Sequence, residues 1–452
     1  MKRNLLKKAL AGLLSAALLA LPVLAAEPQQ PASWAVSQLA DSYALGLVDD
    51  NYTTYIQSPV TMDQLETMTT VVSNKLALLE LEPRTADAVG LVVDTTRGGV
   101  MNALYQAAAA YELPGIDDGA EAFLTSLGVV QGDGAGLAQE RTCTYQEAMV
   151  MANRLILAIY DGQDAGSKGL LWKATNGDNT LYLLGTIHLD RDNVYPLHKS
   201  VRDAIQASEE VIFELDLNDL EGIALLQSLQ TYQDGTTLAD HISPELYQRV
   251  QTAAAALGMG PNDLDLYKPW ALASTFSTLS MMDDTTGANA MAIDSYVNAA
   301  AANGGKAIGA VETYAFQGGI FDGLSPEYQE TYLDSALAVF EMTLGGEPDP
   351  EIEQAAQLQE EMLSAIFASW KDRDPETFAQ VYDKQAIINS TDELNSKLFT
   401  QRDPGMIEAA AGYLETEGSH TYFMAVGAGH MVDPGGIVSG LKALGYTVEL
   451  VP

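Results

Sequence analysis

Thr180-Leu181-Tyr182-Leu183-Leu184-Gly185-Thr186-Ile187-His188, followed by Glu210-Val211-Ile212-Phe213-Glu214-Leu215-Asp216, decides the fold class. The first run is apolar, with β-branched and aromatic residues, and is bounded by turn formers. That pattern predicts a buried strand ending in Gly-Thr-Ile-His. Between the runs, Leu197, Val201, Ala204, Ile205 and Ser208 fall on one side of a helix over residues 197–208. The second run predicts a short strand that ends on Glu214. Strand–helix–strand units build open parallel sheets, which place ligands at the carboxyl ends of their strands. His188 and Glu214 are therefore expected at one rim of one sheet. A near-copy of the first ending lies far along the chain: Phe423-Met424-Ala425-Val426-Gly427-Ala428-Gly429-His430.

Outward from this stretch, Asn176-Gly177-Asp178-Asn179 separates two apolar runs and predicts a hairpin leading into His188. Residues 271–282 form an apolar helix just after Pro269. Residues 291–301 place Asp294 on an otherwise small and apolar helix. Residues 306–311 read as a strand ending at Glu312. Two long helices, over 328–344 and 351–370, are expected to pack together as a helical insertion. A further helix over 408–414 is preceded by Arg402. A strand over 421–426, a helix over 436–444 and a strand over 446–451 close the chain as a second strand–helix–strand unit. The expectation is an α/β (α+β) fold. Its sheet is built from two strand–helix–strand halves with a helical insertion, after a small, mostly helical domain.

A chain of 452 residues exceeds the usual single domain, so two domains are expected. Apolar residues make up 47%, enough for real cores and too many for a disordered chain. The net charge of −38 argues against nucleic acid and anionic membrane surfaces as partners. Lys2, Arg3, Lys7 and Lys8 precede an apolar stretch over 9–24, and Val23-Leu24-Ala25 suits a signal peptidase. Residues 1–25 thus read as a signal peptide, and the product as secreted or held in the cell envelope. The apolar stretch is short for a membrane span, so no transmembrane anchor is expected after cleavage. Its removal would take the net charge to about −42. Cys143 is the only cysteine, which excludes an intrachain disulfide and a thiolate-rich zinc site. It reads as a buried small hydrophobe. Asp161-Gly162-Gln163-Asp164-Ala165-Gly166-Ser167 is the linker between a helical region, 27–162, and the remainder, 168–452.

Two imidazoles and a carboxylate with open positions suit a divalent metal ion, which can make a nucleophile of bound water near neutral pH. His188, Glu214 and His430 can supply that set if their strands are neighbours. A histidine at a strand end is ordinarily just a satisfied cap. Here only five histidines exist, and two share the same Gly-x-x-His ending. A glycine before each lets backbone or substrate approach closely. His198 and His241 lack that context and read as surface or cap residues; His420 reads as exposed. A carboxylate at Glu214 is costly to bury unless paired or bound to metal. Asp294 is either an acceptor behind a ligand or a helix-surface acid. Glu312 is open to a general-base or a supporting role, and Arg402 to a substrate clamp or a structural ion pair. Lys268 and Trp270 read as packing. Gly-x-Ser-x-Gly, a phosphate-binding glycine loop and His-Glu-x-x-His are all absent, which argues against the serine-hydrolase, nucleotide and ordinary zincin readings.

The two Gly-x-x-His endings and the strand-end glutamate resemble the TraB/GumN family, which includes the Tiki proteins. Leu171-Trp172-Lys173, Lys268-Pro269-Trp270, Val311-Glu312-Thr313 with Gln317, and Gln401-Arg402-Asp403 before Met406 agree with it in order, over residues 170–452. The resemblance implies an exported, metal-dependent hydrolase acting on a peptide or protein substrate. It implies manganese or cobalt as cofactor, with zinc also open. His188, Glu214 and His430 would hold the metal, Glu312 would handle protons and Arg402 would orient substrate. Two other members or fold relatives imply rivals: a metal-free esterase of the erythromycin-esterase type, and a non-catalytic peptide binder like the pheromone-shutdown proteins. Trp34-Ala35, Gly46-Leu47-Val48 and Thr61-Met62-Asp63-Gln64 resemble degenerate S-layer homology repeats. A second copy ends in Thr144-Tyr145-Gln146-Glu147, about 83 positions on. That resemblance implies attachment to cell-wall polysaccharide. Met62 and Tyr145 stand where that family carries a basic residue, and the other reading is a helical spacer or regulatory domain.

Overall fold

Six strands form one mixed sheet: β1 (Leu170–Asn176), β2 (Asn179–Thr186), β3 (Glu210–Phe213), β4 (Ala307–Ala310), β5 (Thr421–Gly427) and β6 (Thr447–Leu450), in the order β4-β3-β5-β2-β1-β6. The computed structural model describes residues 28–84, 90–132, 136–188, 193–281, 291–345 and 350–452. The expected signal peptide, residues 1–25, lies outside the described residues. β4, β3, β5 and β2 run parallel; β1 is antiparallel to β2 and to β6. The predicted hairpin is present, with Asn176 opposite Asn179 and Gly177 in the left-handed region at φ 58°.

Why the central strands read as unbroken apolar runs follows from this order. Leu181, Leu183, Leu184, Val211, Ile212, Phe213 and Phe423 to Val426 are buried, because helices cover both faces of the parallel part. The two expected strand–helix–strand units are interleaved rather than side by side. β5, from the end of the chain, inserts between β2 and β3. The helix Lys199–Ala207 links β2 to β3, and its amino end is capped by His198. The helix Ile437–Ala443 links β5 to β6, which lies at the far edge beside β1.

The insertion differs from expectation. The helix Pro326–Thr343 packs chiefly on Pro269–Met281, with Phe276 and Phe340 stacked at 5.0 Å, and with residues 238–264 these two build a separate small core. The helix Pro350–Lys371 ends instead in the main core. There Trp370 is fully buried and donates its indole N–H to the Gly185 carbonyl at 2.5 Å. A Trp has one polar atom to satisfy, and this bond is how a long insertion is fastened to the strand that leads into His188.

Among the described residues before 162, three helices start from threonine caps. Thr61 and Gln64 make the predicted capping box. Thr144 gives its backbone N–H and hydroxyl to Glu147. A third capped helix, Arg97–Ala108 behind Thr96, lies between the two copies seen in the sequence. The stretch 161–167 is held in place rather than loose: Asp161 pairs with Arg202, and Ser167 exchanges backbone hydrogen bonds with Pro196 and His198. Half-buried Asp41 accepts from Tyr296 at 2.7 Å, which ties the helix Leu39–Ala44 to the helix Ile293–Asn303. One continuous core runs from Ala35 to Val448. Among the described residues, no helix is long and apolar enough to cross a membrane.

Candidate functional site

Four parallel strands end at the same rim, and each delivers one side chain. His188 follows β2 by two residues, Glu214 follows β3 directly, and Glu312 follows β4 by two. His430 sits in the single turn Ala428–Met431 that leaves β5. Backbone pairing continues past the strand ends. Val311 N–H donates to Phe213 O, and Glu312 N–H donates to Glu214 O, both at 2.9 Å. Glu214 and Glu312 are thereby placed side by side. Arg402, at the start of the helix Asp403–Leu414, reaches both.

Three glycines allow the two Gly-x-x-His turns to meet. A Cβ on Gly427 would lie 3.1 Å from Glu214 Oε1, 3.5 Å from His430 Cδ2 and 3.9 Å from His188 Nε2. The three predicted metal ligands therefore converge on this one position. A Cβ on Gly185 would fall 2.8 Å from Ala428 Cα, so the first motif makes room for the turn of the second. One on Gly429 would fall 2.7 Å from the Tyr382 hydroxyl. Distances under about 3 Å are closed by sterics, so glycine is required at 185 and 429, while a Cβ at 427 would press on Glu214.

The electrostatics are dense. Arg402, only 7% exposed, donates from Nε and Nη2 to Glu312 and from Nη2 to Glu214 Oε2 at 2.6 Å. Gln317 donates to the same two carboxylates at 3.2 Å. Glu214 Oε1 accepts the Gly427 N–H at 2.6 Å and lies 4.0 Å from His430 Nε2. Desolvation opposes charge on Glu214. The neighbouring His188, Arg402, His430 and the Gly427 N–H outweigh it and hold its pKa down to about 2. Glu214 is thus an anion throughout the physiological range. Desolvation also opposes charge on His188, but Asp294 and Glu214 outweigh it and push the imidazolium up to about 9. His188 is nonetheless 61% exposed at the mouth of the site, so solvent screens that attraction.

Each histidine is backed by a carboxylate at Nδ1. Asp403 Oδ1 lies 2.6 Å from His430 Nδ1. Asp294 Oδ1 lies 3.3 Å from His188 Nδ1, without good hydrogen-bond geometry. Asp294 is therefore drawn inward to the site rather than being a helix-surface acid. His188 lines a cavity of about 360 Å³, and His430, outside its wall, turns Nε2 toward Glu214 Oε1 at 4.0 Å. Thr186, His188, Glu214, Asp294, Gln317 and Arg402 line its polar side, and Leu215, Leu217 and Phe321 its apolar side. A larger cavity of about 550 Å³ lies between Leu45, Asp63 and Tyr195. Neither histidine nor arginine lines it, so the smaller cavity is where reactive groups concentrate.

The donor set fits a divalent cation in kind. Two imidazole Nε2 atoms and a permanent carboxylate anion converge, each imidazole with a carboxylate behind it, an arrangement that orients metal-binding histidines. Among the described residues, Glu214, Glu312, Asp294 and Asp403 face two fixed cations, Arg402 and Lys384. With neutral histidines that excess of negative charge suits a dication. Thr186 Oγ1 and Asp294 Oδ1 are buried without a hydrogen-bond partner among the described residues, and both line the cavity. The spacing is wider than a closed site. Among the described residues, no three His, Cys, Asp or Glu side chains stand close enough to grip an ion as they are.

All five predicted site residues come together. Lys268 and Trp270 bond Asp322, away from the cavity, in keeping with packing. His198 is a cap, buried at 7% rather than on the surface, and its ring meets Asp164 at 3.0 Å. His241 bonds Thr236 and stacks on Tyr232. His420 pairs with Glu209 at 3.1 Å. Sequence reasoning assigned no role to Asp403, Gln317, Lys384 or Tyr382. Asp403 adjoins Arg402, and its position at the start of a helix was the available signal; Lys384 carried none.

The TraB/PrgY/gumN family model matches residues 170–450. Metalloprotease TIKI2 of Danio rerio is 24% identical over 306 residues, 60% of this chain and 58% of that protein. A Metalloprotease TIKI homolog of Nematostella vectensis is 22% identical over 308 residues, 60% of this chain and 64% of its own length. Metalloprotease TIKI1 of Danio rerio is 38% identical over 76 residues, 17% of this chain and 15% of that protein. The chain thus spans less than two thirds of the length of these relatives. No solved structure matches significantly.

Proposed function

Because the chain belongs to the TraB/PrgY/gumN family, we propose that it is a metal-dependent hydrolase that cleaves peptide or protein substrates outside the cytoplasm. The observation that carries this reading is the convergence of His188, Glu214 and His430 on Gly427. These three side chains would hold a divalent metal, manganese or cobalt in the first instance. When bound, such an ion lowers the pKa of a coordinated water and polarises a carbonyl.

The chain's own residues do the rest. Glu214 stays anionic and is held by Arg402, Gln317 and the Gly427 N–H. Glu312 is fully engaged by Arg402 and Gln317 and is 4% exposed. We therefore give it the part of fixing Arg402 rather than moving protons. Arg402 is spent on two carboxylates, so its first part is to neutralise them, and orienting a substrate comes second. Asp294 and Asp403 turn the imidazoles so that their Nε2 atoms face the position beside Glu214 and Gly427. Leu215, Leu217 and Phe321 offer an apolar side chain of the substrate a place beside the reacting bond. The helical region before residue 162 would serve as a wall-binding or spacer domain, which a pull-down on purified cell wall decides.

A metal-free esterase is the second reading. It is favoured by the lack, among the described residues, of a group already closed around an ion. Chelation separates the two. After treatment with a chelator and dialysis, digestion of a peptide library is expected to fall about 10²-fold or more, and to return with manganese or cobalt. Turnover that ignores the chelator would favour the esterase. Stoichiometric peptide binding without product would favour a non-catalytic binder.

A further inference from the structure

Lys384 is a buried cation that the proposed reaction does not use. Its side chain is 0% exposed, and such a charge is costly unless it is paired and hydrogen-bonded. Its Nζ meets Asp403 Oδ2 at 2.7 Å, donates to the Val432 carbonyl at 2.9 Å and lies 4.8 Å from the centre of the Phe399 ring. The other oxygen of Asp403, Oδ1, lies 2.6 Å from His430 Nδ1. His430 is itself 7% exposed as a side chain, and its ring packs 5.1 Å from that of Phe399. Lys384, Asp403 and His430 thus form one buried line that ends 4.0 Å from Glu214, a residue of the cavity wall.

The placement of the line follows from the insertion. Asp383 takes the left-handed conformation, at φ 43°, and caps the helix Lys384–Asn389. The residue before it, Tyr382, fills the space that a Cβ on Gly429 would need. The turn 382–384 is therefore wedged against the Gly427–His430 turn from outside the sheet. Neither Lys384 nor Asp403 lines the cavity. Their action on a substrate can only be indirect.

We infer that Lys384 is a positioning residue: it fixes Asp403 so that His430 carries its proton on Nδ1 and offers the lone pair of Nε2 to the position beside Glu214 and Gly427. A carboxylate can only accept, so His430 Nδ1 must donate to Asp403. The opposite tautomer would set a lone pair against the Asp403 anion. Without Lys384, Asp403 would be a buried anion with one free oxygen, able to turn away from His430. This inference rests on the reading of His430 as a metal ligand, but its first test does not.

The test uses the full chain. Long-range proton–nitrogen correlation of the histidine rings in metal-free, nitrogen-15-labelled protein reports which ring nitrogen of His430 carries the proton. The signal is assigned by its loss in His430→Gln. Wild type is expected to show Nδ1–H alone. Lys384→Met is expected to show a mixture of tautomers, and to weaken cobalt binding, read by titration calorimetry, about 10–100-fold. Lys384→Arg is expected to recover part of both. A folded Lys384→Met protein with the wild-type tautomer and wild-type cobalt affinity would overturn the inference. If Lys384→Met does not fold, Asp403→Asn replaces it: a mixture of tautomers supports the line, and Nδ1–H alone overturns it. If wild type takes up no cobalt, the metal reading fails by itself, and the ring nitrogens still decide the part played by Lys384.

Discussion

Replacing His188 or His430 with alanine is expected to abolish both divalent-metal uptake and peptide cleavage. Loss of an outer partner of a metal ligand typically costs about 10–100-fold, and loss of a ligand should exceed that, at about 10³-fold or more. The two variants differ in their effect on the fold. His188 is 61% exposed at the cavity mouth, so His188→Ala should leave thermal stability within about 0.5 kcal/mol of wild type. His430 is buried and bonded to Asp403, so His430→Ala should also cost about 1–3 kcal/mol, the price of a buried polar group left without its partner. Metal content by elemental analysis, cleavage of a responsive peptide and a denaturation curve, measured on the same samples, check all three. Retained cleavage in either variant would refute the assignment of these histidines.

Replacing Arg402 with methionine is expected to destabilise the protein more than any other change at the site. Arg402 neutralises Glu214 and Glu312 together, and all three are nearly buried. Removing it strands two carboxylates, and breaking a buried pair costs about 3–5 kcal/mol. The midpoint of unfolding by urea should fall accordingly. A second substitution, Glu312→Leu in the same chain, should recover part of that loss, because an apolar pair replaces a stranded anion. A loss under about 1 kcal/mol in the single variant would mean that the guanidinium does not neutralise the pair as described.

The site was legible where chemistry and strand ends coincide. His188, Glu214, Glu312 and His430 each follow a short apolar run that reads as a strand. The carboxyl-end rule for parallel sheets then predicts one shared rim. The repeated Gly-x-x-His also anticipated a steric need, which Gly185, Gly427 and Gly429 meet in three different ways. What could not be read was the order of the strands. Local apolar patterning does not say that β5 slips between β2 and β3, since any of these runs could occupy the middle of a sheet. Helix partners were hidden for the same reason. The helices Pro326–Thr343 and Pro350–Lys371 adjoin in sequence, yet the first finds its core against Pro269–Met281. Lys384 was invisible because a lone lysine in a polar stretch reads as solvated, and only tertiary packing buries it against Asp403. Asp294 looked like a surface acid until the helix Ile293–Asn303 turned it toward His188. The helical region gave up its third threonine cap, at Thr96, only in three dimensions, since its flanks do not repeat those of Thr61 and Thr144.

The most direct measurement is anomalous X-ray scattering from crystals of the full chain grown with cobalt and, separately, with manganese. A single strong peak bonded to His188 Nε2, His430 Nε2 and the Glu214 carboxylate, beside Gly427, is the expected result. A peak bound by other residues, or none at saturating metal, would contradict the account.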